Sequence, residues 1–335
     1  MFTLAHLSDL HLPPPAAIGL RAAASKRLFG YLSYHLKRKK VHEAAVLEVL
    51  ASDLRQSAPD HIAITGDLTT IALPEEFDRV RQWLHALGPA EAISVVPGNH
   101  DAYVAVPWTD SLARWAEFMS DPAAPMASPA DFPFVRGRGP IAIIGVSSAC
   151  PSPLFRATGR IGDAQLAHLA QCLEQLGRRS LFRVVLVHHP PTAGAVTRRK
   201  RLIDQEAFRE VIRKSGAELI LHGHHHRFSV SELATPAGSA PAVGVPSASA
   251  CRRVGHEHAS YHLYRLSPAG DGWRVAVEIR GLAESGDRFA TERRFQLTIL
   301  NEISHLVNDR PETLRSSAIK GSIIDSLSSR VKAPL

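Results

Sequence analysis

An α/β domain, strands inside and helices outside, is the architecture this chain encodes. Two patterns carry the expectation. Short apolar runs alternate with longer stretches whose apolar residues recur at helical spacing, and beyond Leu221 strands follow one another without helices between them. The bulk numbers agree: 335 residues, 45% hydrophobic and 21% charged, are enough to bury a sizeable core.

Taken in order, Phe2–Leu7, His61–Thr65, Ala92–Val96, Ile141–Val146, Phe182–Val187 and Glu218–Leu221 read as buried strands, short apolar runs bounded by turn residues. Between them His42–Ser57, Pro74–Leu87, Trp108–Met119, Asp163–Leu176 and Asp204–Lys214 read as helices. Asp163 and Asp204 are the expected N-caps and Gly216 the expected helix stop. Past Leu221, Val230, Ala242–Val245, Tyr261–Leu266, Trp273–Ile279 and Phe295–Leu300 read as a meander. Pro122 to Pro133 reads as an ordered loop. Residues 301–335 carry Ser, Lys and Arg with weak helical periodicity, consistent with a tail helix or with disorder.

Composition excludes some function classes and favours others. No apolar run approaches the roughly 18–20 residues of a spanning helix, and MFTLAHLSDLHL lacks the basic start of a signal peptide. Cys150, Cys172 and Cys251 are too few and too scattered for a disulfide framework. A cytoplasmic protein is the expectation. The net charge is +7 and it is uneven. From Leu10 to His42 there is no acidic residue, while Arg21, Lys26, Arg27, Lys37, Arg38, Lys39 and Lys40 fall there; a second cluster is Arg198-Arg199-Lys200-Arg201. Such charge is either a solvated basic face or a footprint for phosphate, nucleic acid or a membrane surface.

Five strands end on chemistry. Phe2–Leu7 runs into Ser8-Asp9-Leu10-His11, His61–Thr65 into Gly66-Asp67, Ala92–Val96 into Gly98-Asn99-His100-Asp101, Phe182–Val187 into His188-His189-Pro190, and Glu218–Leu221 into His222-Gly223-His224-His225-His226. Ligands in α/β sheets gather at the carboxyl ends of strands. If these strands are neighbours, one crevice receives two carboxylates, an amide oxygen and at least four imidazoles. That mix suits a pair of divalent metals, and the absence of thiolates argues against a soft structural zinc site. The alternation in Asp9-x-His11 and His224-x-His226 sends both side chains of each pair to one side of an extended segment.

These motifs, D-x-H, G-D, G-N-H-D, H-H-P and G-H-x-H in this order, resemble the calcineurin-like metallophosphoesterase superfamily. The resemblance covers roughly residues 1–280 and implies a four-layer α/β/β/α sandwich of two mixed sheets. That domain carries a basic amphipathic insertion at about 13–41, and 281–335 is left as a C-terminal strand and tail. Asp9, His11 and His226 would hold one metal, Asn99, His188 and His224 the other, and Asp67 would bridge them. The cofactor implied is two divalent or mixed-valence ions drawn from Mn, Fe, Zn or Co. Thr70 stands where the purple acid phosphatase branch has its tyrosine, which argues against a tyrosinate-bound ferric site. The chemistry implied is hydrolysis of a phosphodiester or pyrophosphate by in-line attack of a metal-bridging hydroxide. His100 would stabilise charge or protonate the leaving oxygen, with Asp101 orienting its ring.

On the substrate side His189, Lys26 and Arg27 are the candidates. Leu28, Phe29, Tyr31, Leu32 and Leu36 form an apolar stripe at helical spacing within the insertion, and Gly30 weakens that helix by about 1 kcal/mol relative to alanine. A basic amphipathic helix either caps the domain or lies on a membrane surface, here the inner face. The window resembles insertions in bacterial enzymes of this superfamily that cleave UDP-diacylglucosamine, whereas HHPP and GHHHR resemble the cyclic nucleotide and glycerophosphodiester branch. Lipid-linked pyrophosphate and cyclic nucleotide are therefore both open as substrates; nucleic acid ranks below them. A non-catalytic scaffold is the contrasting class, and a full ligand set argues against it. His256, His258 and His262 are read as strand polarity or substrate contacts.

Overall fold

Apolar runs and helix-period stretches fold in the predicted succession. The structure, a computed structural model, describes residues 1–300 apart from 37, 38, 40, 122, 123, 252–256 and 271. Lys37, Arg38, Lys40, Pro122, His256 and the 301–335 tail lie outside the described residues. The strands are β1 (Phe2–Leu7), β2 (His61–Ile64), β3 (Ile93–Val95), β4 (Phe134–Arg138), β5 (Ile141–Gly145), β6 (Phe182–Leu186), β7 (Leu219–His222), β8 (Ser229–Thr235), β9 (Gly238–Gly244), β10 (Ser260–Ala269), β11 (Gly272–Leu282) and β12 (Phe289–Leu300). The α-helices are α1 (Leu20–Ala23), α2 (Arg27–Leu36), α3 (Ala44–Ser57), α4 (Pro74–Leu87), α5 (Asp163–Arg178) and α6 (Gln205–Ser215).

Two mixed sheets result, ordered β12-β11-β10-β1-β2-β3 and β4-β5-β6-β7-β9-β8. β1, β2 and β3 are parallel, as are β5, β6, β7 and β9. Parallel neighbours need crossovers; α3, α4, α5 and α6 provide them for every pair but β7 and β9, which are joined through β8. The period-2 alternation divides the layers. Ile141, Ile143, Val184, Leu186, Leu219 and Leu221 share a core with residues of the first sheet and with α3 and α4. Their alternates Ala142, Ile144, Val185 and Ile220 pack with Leu169, Leu173, Phe208 and Ile212 of α5 and α6. This is the expected four-layer sandwich.

Some expectations change. Trp108–Met119 is not an α-helix but two 3₁₀ segments, Trp108–Asp110 and Leu112–Phe118. Ser111 interrupts them: its hydroxyl donates to Pro107 O at 2.8 Å, diverting a carbonyl from the helical ladder. Gly162, at φ 87°, takes the cap position expected of Asp163. Asp204 does precede α6, but its carboxylate accepts from Ile161 N and Gly162 N, tying the starts of α5 and α6 together. Gly216 ends α6 at φ 73° as expected. The strands beyond Leu221 do not form one meander. β8 and β9 extend the second sheet and β10–β12 the first. The division drawn at 280 falls inside β11, with which β12 pairs along its whole length.

At the carboxyl ends of the strands the sheets are stitched together. Ser8, just past β1, bridges Ser247, just past β9, and Ala248 N donates to Ser8 O at 2.8 Å.

Candidate active site

The loops leaving β1, β2, β3, β6 and β7 meet at this edge, and their backbones are bent hard to do so. Asp9 (φ 56°), His11 (45°), Asp67 (55°), His224 (67°) and His226 (56°) are all in the left-handed region. Such a backbone costs on the order of 1–3 kcal/mol per residue and persists only where the surroundings hold it. Here Asp9 N donates to Gly66 O and His11 N to Asp67 O, both at 2.9 Å, continuing the β1–β2 pairing past the strands. The loops touch backbone to backbone. A Cβ on Gly98 would lie 2.3 Å from Asp67 Oδ1 and 2.5 Å from its backbone N, so only glycine fits.

Two groups of candidate ligand atoms converge. In the first, His226 Nε2 lies 3.0 Å from Asp9 Oδ1 and 3.4 Å from His11 Nε2. In the second, His188 Nε2 lies 3.2 Å from His224 Nδ1, 3.3 Å from Asn99 Oδ1 and 3.4 Å from Asp67 Oδ2. Ligands bonded at about 2.1 Å sit about 3.0 Å apart around an octahedral ion and about 3.4 Å around a tetrahedral one. The tautomers agree with that spacing. His188 Nδ1 donates to Thr65 O at 2.6 Å and His224 Nε2 to Lys200 O at 2.8 Å. Once His188 gives up its second proton, each ring turns a lone pair toward the other, an arrangement that a cation between them resolves. The residues present fit a metal pair.

The electrostatics fit as well. Burial alone would raise Asp9, but His226 and His188 outweigh it and hold the carboxyl well below its usual range. Asp67 is likewise lowered against its burial by His188 and His100. Burial would lower His188, yet Asp67 and Asp9 raise it to about 9. Two buried carboxylates thus favour positive charge at this spot. His224 is pushed well down by burial, then by His189 and His188, which keeps its ring neutral, as a ligand's must be.

All seven expected ligands, Asp9, His11, Asp67, Asn99, His188, His224 and His226, come together. His100 stands beside them: its N–H donates to Asp67 Oδ1 at 2.7 Å and its ring stacks on Tyr103 at 5.6 Å. Asp101 has a different task from the one expected. Thr70 O, not the Asp101 carboxylate, accepts from His100 Nδ1 at 2.6 Å. Asp101 instead gathers Gly98 N, Leu68 N, Thr69 N and the Thr69 hydroxyl, knotting the two ligand loops. Burial, then the nearby Asp67, raises it to about 6.

A cavity of about 340 Å³ opens over Asn99 and His100, walled by Lys26, Arg156, Arg199 and Lys200 and by Phe29, Tyr103 and Phe155. Of the three substrate candidates, Lys26 lines it; its ammonium sits over the Tyr103 ring and donates to Tyr103 O and Ser152 O. Arg27 is turned away, donating to Ile71 O and Ala72 O, and so anchors the insertion. His189 is wholly buried behind His188 and His224, its Nδ1 on Ser148 Oγ at 2.7 Å. Gly30 also has a reason: a Cβ there would lie 2.6 Å from Ile71 Cγ2 and 2.8 Å from the Tyr103 hydroxyl, so α2 seats closely only with glycine. Of the uncertain histidines, His262 is buried with Nδ1 on the Tyr264 hydroxyl, and His258 pairs with Glu292.

Sequence reading missed His42, taken as a helix start. It is buried, with its ring 4.6 Å from that of His11. Its one signal was position: the insertion leaves the His11 loop and ends at His42. Tyr103 and Arg156 carried no signal.

Residues 2–228 match the family model of calcineurin-like phosphoesterases. The chain belongs to that family. This phosphoesterase is thus a metal-dependent phosphoester hydrolase, as its motifs implied. It is 29% identical over 229 residues to a probable cyclic nucleotide phosphodiesterase of Synechococcus sp., spanning 67% of this chain and 73% of that one. In fold it is similar to a dimetal phosphatase from Danio rerio, with a TM-score of 0.58 at 13% identity over 90% of this chain and 99% of the other. Purple acid phosphatase PPD1 of yellow lupin gives a TM-score of 0.54 at 12% identity, over 89% of this chain and 53% of that one. Among the described residues no helix is long and apolar enough to cross a membrane.

Proposed function

We propose that this phosphoesterase hydrolyses a phosphodiester bond in a small anionic substrate, with cyclic nucleotides the first class to try. The observation that supports this best is the cavity itself, about 340 Å³, with His100 and Asn99 at its base and four cationic side chains in its wall. Sites for small molecules run from about 300 to 1,000 Å³. The similarity to a probable cyclic nucleotide phosphodiesterase points the same way.

Asp9, His11 and His226 would hold one ion, Asn99, His188 and His224 the other, with Asp67 between. Bound there, Mn, Fe, Zn or Co would neutralise phosphate charge and supply an ionised water as nucleophile. The chain's own groups do the rest. Lys26, Arg156, Arg199 and Lys200 draw in and orient the anion. Tyr103 and Phe155 offer faces for the organic part of the substrate. His100, with Nδ1–H fixed on Thr70 O, keeps Nε2 for the substrate; when Nε2 is protonated it gives the Nε2 proton to the departing oxygen.

The test is hydrolysis of bis(p-nitrophenyl) phosphate, then of cyclic nucleotides, by metal-stripped protein with Mn, Fe, Co, Zn or Mg restored singly. Activity returning with at least one ion is expected. No activity on any diester with any ion would sink the reading.

A second reading, a lipid-linked pyrophosphate met at an anionic membrane surface, is favoured by one observation. Phe29 is 53%, Leu32 47% and Leu36 70% exposed on α2, and Phe155 across the cavity mouth is 77% exposed, among cations. Co-sedimentation with anionic vesicles, absent with neutral ones, separates this reading from the first.

A further inference from the structure

We propose that His42 is an additional protein ligand of the ion held by Asp9, His11 and His226, which makes that site richer in imidazole than its neighbour. The inference rests on the two-metal reading above and extends it to a residue at the far end of the insertion.

Position comes first. The backbone at His42 is clamped to the segment after β9: His42 bridges Ala250, Glu43 N donates to Ser249 O at 3.1 Å and Cys251 N to Val41 O at 2.7 Å. Only the tertiary fold brings this segment beside the Asp9 loop. Ser247 Oγ donates to Asp9 O at 2.7 Å, so the same short stretch holds both the ligand loop and His42.

Orientation follows. His42 Nδ1 lies 2.7 Å from Ser249 Oγ and 3.4 Å from Ser247 Oγ. Both hydroxyls lie within donating distance of Asp9 O, at 2.7 and 3.4 Å. In the tautomer that lets both protons aim there, their oxygens accept from His42 Nδ1–H. That leaves the lone pair on Nε2, the tautomer of a histidine ligand steered by a hydrogen bond on its other nitrogen. The ring is 94% buried, 4.6 Å from the His11 ring and 5.8 Å from that of His226.

Spacing closes the argument. One ligand atom each from His11, His42 and His226 lie within 4.8 Å of one another. Two nitrogens on one ion with bonds of about 2.1 Å are at most about 4.2 Å apart, so the three stand close to the separation that one ion demands. The consequence is asymmetry. Three imidazoles beside Asp9 and Asp67 prefer Zn, Fe or Co over Mg, whereas the neighbour has two imidazoles, an amide and a carboxylate.

Full-length protein stripped of metal is titrated with Co²⁺ and Zn²⁺, reading stoichiometry by elemental analysis, affinity by calorimetry and coordination by the visible Co²⁺ spectrum. The parent is expected to bind two ions. His42→Ala is expected to weaken one of them at least about tenfold and change the Co²⁺ spectrum, and Ser249→Ala to weaken the same ion by less. A folded His42→Ala protein that binds two ions with parental affinity and spectrum overturns the proposal and leaves the dinuclear reading standing. Should His42→Ala fail to fold, Ser249→Ala decides: unchanged affinity and spectrum overturn it. A parent that binds fewer than two ions overturns the two-metal reading and this proposal with it.

Discussion

Asp67→Asn isolates the charge at the centre of the site while leaving its shape. Asn tolerates the left-handed backbone that Asp67 adopts at φ 55°. The amide oxygen still accepts from His100 N, so the loop keeps its anchor. What disappears is one negative charge 3.4 Å from His188 Nε2. His188 itself measures how much that charge matters. It is raised from 6.5 to about 9 although burial opposes, with Asp67 the foremost raising influence and Asp9 a lesser one. At 1.36 kcal/mol per unit the carboxylates favour a single positive charge there by about 3 kcal/mol net. Asp67 is the foremost of the influences that raise it, and a dication carries twice the charge. Its removal should therefore cost about 3 kcal/mol of metal binding, roughly 100-fold in Kd. The assay is calorimetric titration of metal-stripped parent and variant with Zn²⁺ or Mn²⁺ at pH 7.5, with metal-free thermal melts to verify folding. A folded variant that binds within about threefold of the parent would refute the reasoning, because the charge would then not be felt at the ions.

Metal uptake should depend on acidity in a stated direction. In the metal-free protein His188 holds a proton up to about 9, so an ion must displace it, and apparent affinity should rise up to about tenfold per pH unit between 6.5 and 9; flat titrations across that range would contradict this. Glu76 gives a stability signature. Burial, against backbone bonds from Leu73, Thr70 and Ile71, raises it from 4.5 to about 7. A raised carboxyl stabilises the fold fully below its unfolded value and loses that contribution as pH rises through the folded one. The stability of the parent minus that of Glu76→Gln should thus fall by about 3 kcal/mol from pH 4.5 to 7, read by urea unfolding; a constant difference would refute it. Remote from the site, Glu218 pairs with buried Arg183 at 2.6 Å, and the Arg183 guanidinium also donates to Leu173 O and Ser215 O. Glu218→Ala should destabilise by about 3–5 kcal/mol by taking the carboxylate away from a buried guanidinium, and a loss below about 1 kcal/mol would count against that account.

Much of the site could be read from the chain because its information is local. An apolar run ends where its strand ends, so Asp9, Asp67, Asn99, His188 and His224 could each be assigned to a strand terminus before any fold was known. Other assignments depended on directions that a sequence does not hold. Lys26 and Arg27 are adjacent and alike in charge, yet one lines the cavity and the other anchors the insertion on carbonyls. Helical phase at a loop junction decides that, and spacing alone does not reveal it. Asp101 follows His100 directly, which suggested a pair. The Thr70 carbonyl took the imidazole instead, because the β2 loop lies closer to that nitrogen. The expected helix over Trp108–Met119 yielded to a serine hydroxyl competing for a backbone carbonyl.

By itself the sequence determined the layer order and which strand ends carry candidate ligand chemistry, because period, polarity and donor chemistry belong to each short segment alone. Tertiary structure decided which histidine nitrogens face one another, which cations reach the cavity and that the His42 ring returns to lie against that of His11, thirty-one positions before it. Those are matters of distance between segments as far apart as Asp9 and His226, whose atoms meet at 3.0 Å only after two sheets have closed on one another.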